Sequence, residues 1–252
     1  YGFSGALLLG VTPPPNMGLI AEICAGGYLH GILEEFLADQ PSKAKDIGHM
    51  CATIPIVDRN SCFHGVGHGL MFINARDIEQ SLKDCRVFSA KKYRSSCFEG
   101  VWMELFWGNV GHNGGNTLGW SPSEPLQPCK IANNDAKAAC FLYANLGYLR
   151  THSKDFNGAI AMCTHESLSS RDTEFCMRGI GMTMMEFFMH QKIGEPDQYI
   201  EKLNQQQRTE FFHGLIAYGK LSGKSDQQLL LFCESSKSNK QICTDLVKNI
   251  PR

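Results

Sequence analysis

Six copies of one short pattern run down this chain at nearly even spacing. They read Cys24-Ala25-Gly26-Gly27, Cys62-Phe63-His64-Gly65, Cys97-Phe98-Glu99-Gly100, Cys140-Phe141-Leu142-Tyr143, Cys176-Met177-Arg178-Gly179 and Phe211-Phe212-His213-Gly214. Their starts lie 38, 35, 43, 36 and 35 residues apart. A fixed period of this size marks a supersecondary unit repeated in an array, with its binding surface on one face.

The cysteines follow the same beat. Of eleven, ten fall into close pairs: Cys51 with Cys62, Cys85 with Cys97, Cys129 with Cys140, Cys163 with Cys176, and Cys233 with Cys243. Four pairs end on the first residue of a copy. The copy that opens with Phe211 has lost that cysteine, and no cysteine precedes it at the usual distance. Joint loss is expected of bonded partners and of nothing else, so the spacing predicts five local disulfides. Each closes a loop of about a dozen residues, worth about 3 kcal/mol in a chain-entropy treatment. Disulfides persist in an oxidising compartment, which places the protein outside the cytoplasm: periplasmic, cell-surface or secreted. The chain has no Cys-x-x-Cys, and the observed spacings do not match zinc knuckles. Cys24 is left over, either a free thiol or the partner of a cysteine upstream.

After each copy comes an apolar stretch with three-and-four spacing, as in 27–37, 65–72 and 179–189, which predicts a first helix of each unit. A second amphipathic stretch follows at 76–88, 154–163, 196–204 and 225–233, several opening on Asp or Ser as helix N-termini do. The expected fold is therefore all-α: an αα-hairpin repeat array, or solenoid, of about six repeats of ~36 residues, with local disulfides joining the end of one hairpin to the start of the next. Gly27, Gly65, Gly100, Gly179 and Gly214 share one repeat position, and Gly31, Gly69 and Gly147 lie one turn on. Glycine costs about 1 kcal/mol inside a helix, so its recurrence predicts close approach between stacked helices. The repeats occupy 24–234. Residues 235–252 form a polar cap pinned by Cys233 and Cys243. Residues 1–23 hold a ten-residue apolar run, Gly2 to Val11, read either as a signal or anchor remnant or as a buried segment.

The stretch from Ala139 to Cys176 resembles one Sel1-like repeat, a relative of the tetratricopeptide helix pair. Leu146-Gly147-Tyr148, the Lys154-Asp155 turn and Ala159-Ile160-Ala161 carry the likeness. The repeat-joining cysteines are similar to those of the cysteine-rich bacterial members. The resemblance implies a right-handed superhelix, secreted, that binds proteins or peptides.

Lysine plus arginine (24) balances aspartate plus glutamate (25), so nothing marks a nucleic-acid or anionic-membrane partner. Membrane contact is expected only through an N-terminal anchor. The sharpest chemical feature is His64-Gly65-Val66-Gly67-His68, two histidines four apart on one helical face, able to share a metal. His30 stands at the repeat position of His68, and Glu99 at that of His64. Glu34 follows His30 by one turn. His30, Glu34, His64, His68 and Glu99 are thus candidate ligands for zinc, copper or iron between the first three long helices. The competing reading makes these histidines hydrogen-bond donors that lock the stack, and no cofactor is then needed. The chain has no HExxH, Gly-x-Ser-x-Gly, P-loop or dinucleotide fingerprint, which removes the commonest enzymes. Met177, Met182, Met184, Met185 and Met189 share one helix; core packing is the expected role, copper(I) the alternative. Glu186 in that helix needs a partner, with Arg178 or a histidine in view. The long third interval places a loop over 108–128, where Trp107, His112 and Trp120 are candidate ligand contacts. Two readings result: an extracytoplasmic array that binds a protein, peptide or envelope ligand, and a metalloprotein. Alkylation of denatured, unreduced protein should label at most one cysteine per chain; ten labelled thiols would refute the pairing.

Overall fold

The sequence sets helix starts with unusual clarity. Asp77 accepts from the Gln80 amide at 2.9 Å and opens α2, Ile78–Cys85. Asp155 does the same for the Gly158 amide and opens α6, Phe156–Cys163. Asn204 with Gln207, and Ser225 with Gln228, form capping boxes at the starts of α9, Gln205–Leu221, and α10, Asp226–Ser235. Each cap satisfies amides that the helix itself cannot, and is worth about 1 kcal/mol.

The structure is a computed structural model, and it describes residues 51–52, 59–107, 124–153, 155–189 and 195–251. Every regular element among them is a helix. The others are α1, Arg59–Ile73; α3, Lys91–Trp107; α4, Gln127–Ile131; α5, Asn134–Thr151; α7, Ser170–Met189; α8, Asp197–Ile200; and α11, Lys240–Asn249. No described helix is long and apolar enough to cross a membrane. The expected all-α fold is present.

The chain divides into two compact units, 1–121 with 132–140, and 122–131 with 141–252. In the first, α1 packs along α3 and α2 braces both. Phe63 stacks on Tyr93 with ring centres 4.3 Å apart and meets Phe88 edge-on. Trp102 is buried and donates its indole N–H to the Ala136 carbonyl at 3.0 Å, so its one polar atom is satisfied. In the second unit α7 packs along α9, and α11 closes on α9 and α10. Met177, Ile180, Met184, Phe211, Phe212, Leu215 and Ile216 fill its centre. Met177, Met184 and Met185 are core there, as expected, while Met182 is partly accessible and the Met189 side chain lies outside the described residues. Lys220 reaches under the end of α11 and donates to the Val247 and Ile250 carbonyls at 2.6 Å each, a cation on a helix C-terminus.

The long helices touch at their glycines. A Cβ added to Gly100 would lie 1.9 Å from the His64 carbonyl oxygen. At Gly179 it would lie 1.9 Å from the Leu142 carbonyl, and at Gly214 1.8 Å from the Arg178 carbonyl. One contact thus recurs three times: the fourth residue of a motif seats on the carbonyl of the third residue of the motif before it. A return contact accompanies it twice, from Gly67 to the Cys97 carbonyl and from Gly181 to the Phe211 carbonyl. The sequence reading looked one turn on, to Gly31, Gly69 and Gly147; Gly67 and Gly181, two residues on, make the second half.

Four expectations need correction. The motifs lie inside the long helices, about two turns in for Cys97 and Cys176, because the polar residues upstream (Lys91 to Ser96, Ser170 to Phe175) are themselves helical. At those two positions the disulfides grip the flank of the next helix rather than its first turn. The stretch 196–204 forms only the single turn α8, since Asn204 is taken by the capping box of α9. The cap over 235–252 is a true helix, α11. The predicted loop over 108–128 also ends sooner, with α4 starting at Gln127.

Cys51–Cys62, Cys85–Cys97, Cys163–Cys176 and Cys233–Cys243 are bonded, with Cα–Cα separations of 5.6, 5.7, 5.4 and 5.5 Å. These lie in the ordinary range for disulfides. Cys129 and Cys140 are each disulfide-bonded as well. Five local disulfides point to an oxidising, extracytoplasmic environment.

Alanine in a helix normally gains up to about 1 kcal/mol over glycine. At Gly100 or Gly214 the sign should reverse, with a loss of about 3 kcal/mol or more, because the methyl group meets fixed backbone. Denaturant midpoints of G100A and G214A against the parent chain measure it.

Candidate functional site

The two histidines singled out by sequence lie on one turn of α1 with ring centres 5.1 Å apart. His64 is partly accessible and His68 is buried. His68 Nδ1 meets a Glu104 carboxylate oxygen of α3 at 3.0 Å, in a setting closed to water. Arg76 approaches the other oxygen of Glu104 at 3.5 Å. Glu104 was not singled out by sequence. It sits in an apolar run (Val101-Trp102-Met103-Glu104-Leu105-Phe106), and a lone carboxylate within such a run was the signal available.

Arg76 reaches Glu104 from a strained turn. Ala75 and Arg76 close α1 with φ of 49° and 67°, the left-handed region that glycine normally fills. The Arg76 amide bonds back to the Met71 carbonyl at 2.7 Å and the Ala75 amide to Phe72 at 3.1 Å, which satisfies the helix end. Two such residues in succession are rare, and strain of this kind is held only where the surroundings impose it.

Glu99 sits one residue before Gly100, whose backbone touches the His64 carbonyl. Burial alone pushes its carboxyl up to about 7, although part of the residue remains accessible. His30 and Glu34 lie outside the described residues, as do Cys24, His112 and Trp120, and the Trp107 side chain is likewise not described. Among the described residues no three His, Cys, Asp or Glu side chains stand together as a ready metal centre. The structure thus joins His64 to His68, adds Glu104 and Arg76, and leaves the rest of the proposed cluster open.

Each glycine contact carries its own polar pair across the helices. His68 with Glu104 joins α1 to α3. Thr183 donates to Asn145 Oδ1 at 2.7 Å and joins α7 to α5. Arg178 donates through Nε to Glu210 at 2.9 Å and joins α7 to α9. The carboxylate on Arg178 is that of Glu210, on the neighbouring helix; the Glu186 side chain lies outside the described residues. Beside that pair His213 keeps a buried Nδ1 without a hydrogen-bond partner. Loss of water and then the Arg178 charge hold its imidazole below the usual value, and Glu210 pulls the other way.

Comparison with protein-family models, with curated proteins and with solved structures finds no match.

The histidine's depressed folded value means that the unfolded chain binds the proton better. Its contribution to stability is complete above about 6.5 and is lost as pH falls below that. Parent protein should therefore lose more stability than H213Q between about pH 7 and 5. Urea midpoints across that range give the difference, and equal slopes would contradict it.

Proposed function

We propose that the chain is an extracytoplasmic αα-repeat array that binds a protein or peptide along the face presented by the third residue of each motif. One observation carries the reading: the motif is constant where it builds and variable where it faces outward. Positions one and two are mostly Cys and Phe and are buried, and position four is mostly the contact glycine. Position three reads His64, Glu99, Leu142, Arg178 and His213, and all five are partly accessible. In repeat architectures a fixed frame with a variable, accessible position is the arrangement of a recognition surface.

The recurring glycine contact supports stacking of the hairpins into a solenoid, as in the Sel1-like proteins that the 139–176 stretch resembles. The mixed character of position three, with acid, base and aliphatic side chains, suits a peptide or protein better than a nucleic acid, which requires a basic surface. Five disulfides fit service at the cell surface, in the periplasm or in the medium. No catalytic role is assigned.

The test is selection from a random peptide library on the oxidised chain, followed by calorimetry of the selected peptides. Peptides of shared sequence should bind, and E99Q or R178Q should weaken them at least tenfold with helicity by circular dichroism unchanged. Selection that yields no shared sequence, or affinity indifferent to both substitutions, overturns the reading.

A further inference from the structure

We propose that His64 and His68 form a binding site for a divalent first-row transition metal, zinc being the simplest probe, with Glu104 and Arg76 as the positioning residues behind it. The site shares His64 with the peptide face proposed above, and its test reads metal uptake rather than peptide affinity.

The first ground is geometric. An ion about 2.0–2.1 Å from each ligating nitrogen lies about 3.2 Å from each imidazole centre, and a tetrahedral angle then sets the two centres about 5 Å apart. The observed separation is 5.1 Å. The second ground is orientation. A carboxylate at Nδ1 fixes the imidazole tautomer with its N–H toward the acid, which makes Nε2 the metal-binding atom and raises its basicity. Glu104 stands at Nδ1 of His68 at 3.0 Å, and its other oxygen faces Arg76. The third ground is the strained turn. Ala75 and Arg76 hold left-handed backbone where glycine would be easier, and the result is a guanidinium placed against that carboxylate.

The donor set defines the class of ion. Every cysteine among the described residues is in a disulfide, so no thiolate is offered there. Paired imidazoles suit zinc, copper(II) and nickel(II) rather than magnesium or calcium. Two histidines leave coordination positions for water or a carboxylate.

The test is calorimetric titration of zinc chloride into the whole oxidised chain, prepared without an affinity tag and stripped with chelator. Parent protein should saturate near one equivalent, and zinc should raise its melting temperature. H64N and H68N should each bind at least tenfold more weakly. H64N is the decisive variant, since His64 is partly accessible, and circular dichroism of H64N without zinc separates a lost site from a lost fold. E104Q should weaken zinc about 10–100-fold, the usual effect of an outer-shell partner. Parent protein that takes up no zinc, or no more tightly than H64N, overturns the site. An E104Q chain that melts lower yet binds zinc like the parent overturns the positioning role.

Discussion

Backbone-on-backbone contact at glycine is the constraint from which the rest of this structure follows. When Gly100, Gly179 and Gly214 rest on carbonyl oxygens of the preceding long helix, nothing bulkier than a hydrogen fits between. Close approach brings Cα–H groups against carbonyls, a weak attraction, and brings the flanking side chains into dense contact, a larger one. The glycines cost helix propensity, and that cost is recovered only if the helices meet. The contact therefore also fixes register: sliding one helix by a residue would drive a side chain into the neighbour's backbone.

The disulfides and caps solve a different problem. The second helices of the hairpins are short, α2 and α6 having eight residues each. Helices of that length are not stable alone. Asp77 and Asp155 fix where they begin, and Cys85 and Cys163, their last residues, are bonded to the flank of the following long helix. Each short helix is thus held at both ends, and its few buried side chains need only supply the remainder. The copy that lacks the cysteine pair, at Phe211, is served otherwise. Asn204 and Gln207 build a capping box, and Phe211 fills the core position of the missing sulfur.

Much of this was legible in the sequence because it repeats. The period, the disulfide pairing and the contact glycines each appear several times, and repetition separates a structural demand from chance. What was not legible occurs once or depends on a neighbouring helix. Glu104 and Glu210 answer His68 and Arg178 across 36 and 32 residues, and a single sequence carries no mark of such a pairing. The start of the long helices was misplaced because Lys91 to Ser96 and Ser170 to Phe175 are polar and lack the apolar rhythm, yet they continue the helix whose buried face begins at the cysteine. The strained turn at Ala75 and Arg76 was invisible for the opposite reason: glycine is the signal for left-handed backbone, and neither residue is glycine.

The interhelical polar pairs differ in kind, and the difference argues against a common role. Thr183 with Asn145 is neutral and saturates its groups at modest expense. Arg178 with Glu210 is an ion pair between a partly accessible guanidinium and a buried carboxylate, and it serves mainly to set register. His68 with Glu104 is the most deeply buried of the three, the two side chains being only 8% and 7% exposed, and it alone has a guanidinium drawn in beside it on strained backbone. If the only demand were to lock one helix onto the next, a neutral pair of the Thr183 kind would meet it without a buried charge or two left-handed residues. The added machinery acts on one atom, His68 Nδ1, and so on the tautomer of that ring. A fixed tautomer is what the proposed metal site requires of that ring.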